Sequence, residues 1–94
     1  MPVPPDARLA PAESVLTRPV GGELVLLNLQ TENYFGLDPV GATMWDAICE
    51  AGTLAAAAAT LQGVYDVEPA TLADDLQELA EQLVEQKLLD VRVD

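Results

Sequence analysis

The chain of 94 residues has no histidine, one cysteine, four lysines and arginines in all, and four aromatic residues. Without histidine, and with Cys49 alone, neither a Cys/His zinc site nor a thiol–imidazole pair can be assembled. A single cysteine also forbids an internal disulfide, so the chain is not a disulfide-stapled secreted scaffold. No apolar run approaches the roughly 20 residues that span a bilayer. The opening Met1-Pro-Val-Pro-Pro-Asp6 lacks the basic-then-apolar order of a signal peptide, which points to a cytoplasmic protein.

The shortage of cations weighs most. Arg8, Arg18, Lys87 and Arg92 are scattered along the chain and face sixteen acids, for a formal net charge of −12. Nucleic-acid binding needs a basic footprint to displace phosphate counterions, and no such footprint can be drawn from four dispersed residues. Anionic membrane surfaces are disfavoured for the same reason. A cationic partner would be attracted over about 8 Å at physiological salt. Gly21-Gly22 is not followed by Lys-Ser/Thr or a helix start, so there is no phosphate loop. Paired acids such as Asp74-Asp75 read as a solvated helix back, because a general acid needs burial to raise its pKa. The only serine, Ser14, sits in Glu-Ser-Val rather than in the Asp-Ser-Leu of a carrier protein. The sequence therefore points to no enzyme, no cofactor, no metal and no catalytic residue.

What is present is a 50% hydrophobic composition dominated by Leu, Val and Ala. It is enough for one small domain, which buries about 60 to 65% of its extended surface. Residues 1–13 carry Pro2, Pro4, Pro5 and Pro11 and read as an extended arm, mobile or draped over a domain of residues 14–94. Ser14–Arg18 reads as a strand ended by Pro19 and the Gly21-Gly22 turn. Glu23–Leu29 reads as a second strand, and Tyr34–Leu37 as a third at the margin of the meander.

Asp38-Pro39 then opens a helix, with Asp as N-cap and Pro at the first position. That helix reaches Ala51 before Gly52, with Ala42, Trp45, Ile48 and Cys49 on its inner stripe. Trp45 and Cys49 read as core residues. Gly41 would allow a close approach. Thr53 caps a second, alanine-rich helix from Leu54 to about Gly63. Glu68-Pro69 starts a third, reaching about Gln86. Leu72, Leu76, Leu79 and Leu83 form its seam, Ala73, Ala80 and Val84 an apolar shoulder, and Asp74, Asp75, Glu78, Glu81 and Glu85 the remainder. Residues 89–93 alternate as a short terminal strand does.

An open strand edge beside an apolar helix flank is a template for a strand from another chain. Backbone pairing gives about 0.5 to 1.5 kcal/mol per bond, which ordering a flexible peptide largely cancels. Selectivity must therefore come from burying side chains in the groove, at about 1.5 to 3 kcal/mol each. An acidic substitution at Ala80 is then expected to weaken peptide binding without unfolding the domain.

The segment Tyr34-Phe-Gly-Leu-Asp-Pro-Val-Gly-Ala-Thr-Met-Trp45, the later Tyr65-Asp-Val-Glu-Pro69 and the ending Leu-Val-Glu-Gln-Lys-Leu-Leu89 resemble the PqqD-like family. Its members are recognition elements for ribosomally made, post-translationally modified peptides (RiPPs). The stand-alone size is most similar to the B1 proteins of lasso-peptide pathways. The resemblance covers residues from about 14 to 90.

It implies an α+β fold like a winged helix-turn-helix, with an N-terminal three-stranded antiparallel sheet followed by three α-helices. It also implies that the leader segment of a precursor peptide adds as a strand along Tyr34, Phe35, Gly36 and Leu37. The leader's side chains would meet a helix surface drawn from Ala73, Leu76, Gln77, Ala80 and Val84. The implied partners are the precursor, a separate transglutaminase-like leader peptidase of B2 type, and the cyclase. The alternatives are a PqqD-type peptide chaperone for a radical SAM enzyme and a winged-helix transcriptional regulator. The regulator shares the topology but lacks the positive charge.

Overall fold

Asp38 is where the chain changes from sheet to helix. Its side chain accepts a 2.7 Å hydrogen bond from the Gly41 N–H, and Pro39 occupies the first turn, where its missing N–H costs nothing. A Cβ on Gly41 would lie 3.2 Å from Leu37 Cδ2 and 3.3 Å from Asp38 Oδ1, so glycine lets the helix start fold tightly against the strand it follows.

The computed structural model describes residues 3–92. Before this junction lie β1 (Arg8–Pro11), β2 (Val15–Val20), β3 (Glu23–Asn28) and β4 (Tyr34–Leu37). After it come α1 (Pro39–Ala51), α2 (Leu54–Gln62), α3 (Pro69–Glu85) and β5 (Leu89–Arg92). The expected α+β architecture, a three-stranded antiparallel sheet with three helices, is present. β2, β3 and β4 pair antiparallel in that order, and β1 pairs antiparallel with β5 in a separate two-stranded ribbon. Met1, Pro2, Val93 and Asp94 lie outside the described residues, and with them the ends of the expected arm and terminal strand.

One sequence reading needs correction and a second, that of the arm as extended, mobile or draped, is narrowed to draped. Pro19 does not end β2, which runs on to Val20. β2 has a neighbour on one side only, and an edge strand accommodates a proline whose missing N–H points away from that neighbour. The turn that follows has Gly21 at φ +56° and Gly22 at +87°, the pair of left-handed residues that a two-residue hairpin demands. Second, the proline-rich stretch contributes regular structure. Arg8–Pro11 forms β1, Leu9 N–H donates to Gly52 C=O at 2.7 Å, and Val3 and Leu9 join the core.

The core lies between the inner face of the β2–β3–β4 sheet and the helices. Leu26 and Leu37 share one core cluster with Met44, Trp45 and Ile48 of α1, Leu54, Ala57 and Leu61 of α2, and Leu72, Leu76, Ala80 and Leu83 of α3. Trp45 is buried as expected, whereas Ala42 and Cys49 are only half-buried. Gly52, at φ +84°, closes α1, and Thr53 Oγ1 accepts from Ala56 N–H to start α2.

α3 ends in a Schellman turn. Leu88 N–H donates to Leu83 C=O and Lys87 N–H to Val84 C=O, with Lys87 left-handed at φ 64°. Leu83 and Leu88, the residues that flank this turn, are both fully buried.

Candidate functional site: the free edge of β4 and the flank of α3

In an antiparallel pair, residues alternate between those that bond their partner and those whose backbone groups face away. Asn28 N–H donates to Asn33 C=O at 2.9 Å. Continuing two by two along the register, Leu26 with Phe35 and Leu24 with Leu37 are the bonded pairs. The N–H and C=O groups of Tyr34 and Gly36 therefore point outward from β4. No described strand lies on that side. Two donors and two acceptors are thus offered in extended geometry. The side chains alternate as well: Phe35 and Leu37 face the helices, whereas Tyr34, 74% exposed, lies on the opposite face of the sheet with Gly36.

The helix surface expected to face the edge lies on α3, which packs mainly on α2 and β5, while α1 packs on β3 and β4. Leu72, Leu76, Ala80 and Leu83 form its buried seam. At 100° per residue, Ala73, Gln77, Ala80 and Val84 fall along one shoulder of that seam. Ala73 is exposed, Gln77 and Val84 are half-buried, and Ala80 and Leu76 are fully buried. This corrects the expectation for Ala80. A carboxylate there would enter the core and unfold the domain, so surface probes of this shoulder belong at Ala73 and Val84. Gln77 Nε2 is shielded from solvent yet has no hydrogen-bond acceptor. A buried unsatisfied donor costs about 1 to 3 kcal/mol.

Strand and helix are joined at one end by two asparagines. Asn28, 4% exposed, donates through Nδ2 to Lys87 C=O at 2.6 Å and accepts through Oδ1 from Gln30 and Thr31 N–H. Asn33 Nδ2 donates to Gln86 C=O at 3.1 Å. The β3–β4 turn is thereby clamped to the C-terminal end of α3, which fixes where β4 begins relative to the helix. Sequence reading missed both residues. The available signal was Asn28, a lone amide at the end of the apolar run Leu24–Leu27.

Cys49 takes no part in this arrangement. Burial, with a smaller contribution from the Asp46 carboxylate, pushes its thiol up to about 11, so it stays protonated at neutral pH. Among the described residues no group of His, Cys, Asp and Glu is placed to hold a metal ion, and no helix is long and apolar enough to cross a membrane.

A small sheet with an open edge on β4, backed by three helices and clamped to the last of them, defines the α+β module. The family model for coenzyme PQQ synthesis protein D (PqqD) matches residues 23–89, and the chain belongs to that family. Among solved structures, TbiB1 in complex with the TbiA(beta) leader peptide is 30% identical, with a TM-score of 0.78 over 90% of this chain and 99% of that one. A lasso peptide synthetase B1 complexed with its leader peptide shares the fold at 19% identity. Its TM-score is 0.77 over 88% of this chain and 98% of that chain. No curated protein matches the chain.

Proposed function

We propose that this protein is a non-catalytic recognition element that binds the leader segment of a ribosomally synthesised precursor peptide as an added strand on β4. It then delivers the bound precursor to a separate leader peptidase in a lasso-peptide pathway, in the cytoplasm, with the cyclase as a further partner. The observation that carries this reading is the pair of outward-facing backbone groups at Tyr34 and Gly36, on an edge with no neighbour among the described residues. The leader-bound states of the B1 proteins it resembles add support.

Four ladder bonds at about 0.5 to 1.5 kcal/mol each are close to the cost of ordering a flexible segment. Leader side chains pointing to the helix side, toward Phe35 and the Ala73/Gln77/Val84 shoulder, supply the surplus and the sequence preference. The −12 charge accelerates capture of a basic leader and makes it sensitive to salt.

The deciding measurement is an amide NMR titration with leader peptide. Protection and shifts at Tyr34 and Gly36, together with shifts along the Ala73–Val84 side of α3, are expected. Changes confined to the acidic backs at Asp74, Asp75 and Glu78 would sink the reading.

A further inference from the structure

Among the described residues no element covers the face of the β2–β3–β4 sheet turned away from the helices. Register places Leu16, Leu27 and Tyr34 in one row across the three strands, then Arg18, Val25 and Gly36, then Val20 and Glu23. Leu29 adjoins the first row, its N–H bonded to Ser14 C=O. Leu16, Val20, Leu29 and Tyr34 are between 43% and 74% exposed, and they make up most of the large apolar side chains exposed among the described residues. The plate carries one positive and one negative residue, Arg18 and Glu23. Its charge is balanced on a chain whose net charge is −12. Around the strand ends stand the exposed acids Glu13, Glu32 and Asp38.

These features select the occupant. A second copy would bring an acidic rim against an acidic rim, with −12 on each side. With strands about 4.8 Å apart and about 3.4 Å per residue, the plate measures roughly 300 Å² in projection. A stable interface needs about 800 Å² per partner. Like charge and small area both argue against a permanent dimer. An apolar plate of this size on a monomer is commonly a functional contact. Its complement is a protein surface with an apolar centre and a Lys/Arg rim, held briefly.

We infer that this outer sheet face is the docking surface for the leader peptidase, separate from the peptide-binding side. The inference rests on the proposed delivery function and adds to it the surface through which delivery occurs. β4 offers its edge to the leader while the plate remains available, so one small sheet can hold substrate and enzyme together.

The test is reconstituted leader removal from full-length precursor by the peptidase, with this protein limiting, comparing wild type with Leu16→Asp and Val20→Asp. Both side chains are exposed and neither lies on β4, so leader affinity should stay within about twofold of wild type, which also reports an intact fold. Cleavage at limiting protein should fall about tenfold or more, as expected for loss of apolar contacts at the centre of a small interface. Raising the variant's concentration should restore it. Should either variant misfold, Leu29→Asp on the same face replaces it.

Unchanged cleavage with unchanged leader affinity overturns the proposal. So does a wild-type dimer in sedimentation that L16D dissociates, because the plate would then be a self-contact. A wild-type protein that binds leader but does not accelerate the peptidase removes the docking surface and leaves leader binding standing. A wild-type protein that binds no leader removes the functional reading itself.

Discussion

Among the described residues β2 and β4 each have a neighbouring strand on one side only, yet they differ as templates. On β4 the outward groups are the N–H and C=O of Tyr34 and of Gly36. On β2, Leu29 N–H bonds Ser14 C=O, so Val15, Thr17 and Pro19 face outward. Val15 N–H is already donated to Ala12 C=O at 3.3 Å, and Pro19 has none. Thr17 is the one donor left within the strand. β4 also runs directly into α1 and starts at the clamp to α3, where Asn33 Nδ2 donates to Gln86 C=O. In the proposed function an open margin becomes a binding edge when its donors are free and an apolar wall stands next to it, and on β2 two of the three outward positions offer no free donor.

The largest expected effect comes from removing the clamp that sets that wall. Asn28→Ala deletes three hydrogen bonds, among them the part-buried one to the Lys87 carbonyl, which should cost about 2 to 4 kcal/mol in urea unfolding. Asn28→Asp keeps the turn acceptor but loses the donor to Lys87, and should weaken leader binding even at temperatures where the domain is fully folded. Leader affinity unchanged in both variants would show that the clamp does not position β4.

Next in size is a matched pair of proline substitutions. Gly36→Pro removes an outward donor from β4, places a ring on the edge, and should reduce leader affinity by about 2 kcal/mol, or roughly thirtyfold in Kd. Thr17→Pro removes the equivalent donor from β2 and should leave Kd within about twofold. Similar losses from both would erase the distinction between the edges.

A smaller effect is expected on the helix side. Ala73→Glu, at an exposed position, should weaken leader binding by about 1 kcal/mol while changing stability by less than about 0.5 kcal/mol. An equal effect from Asp75→Ala on the other side of α3 would put the wall on the wrong shoulder. Smallest of all, Lys87→Gly relieves a left-handed lysine in the Schellman turn and should stabilise the domain by about 0.5 kcal/mol, leaving leader binding unchanged.

What could be read in advance divides along the range of the interactions. α1 was legible to the residue because its start and stop are local chemistry: Asp38 with Pro39, and Gly52 in a left-handed turn. The order of the central strands and the free margin at Tyr34–Leu37 followed from short turns. β1 was not legible, since nothing near Leu9 announces Val91 as its partner across the ribbon. The Asn28 clamp was hidden for the same reason, its acceptor lying 59 residues away. Ala80 was read as shoulder surface because periodicity gives an angle around the helix but not the depth to which neighbours cover it.

The β1–β5 ribbon places Arg8 opposite Arg92, so the first and last strands of the fold run side by side. The backbone is thus close to a closed ring. A linker between the chain ends that keeps Val3, which lies in the core, would complete it, and the Gly21-Gly22 turn, where an added Cβ would meet nothing within 4 Å, is a natural place to cut it open again. Such a circular permutant would move both ends to the tip of the β2–β3 hairpin while keeping the open margin of β4, and could be fused there to a chosen enzyme.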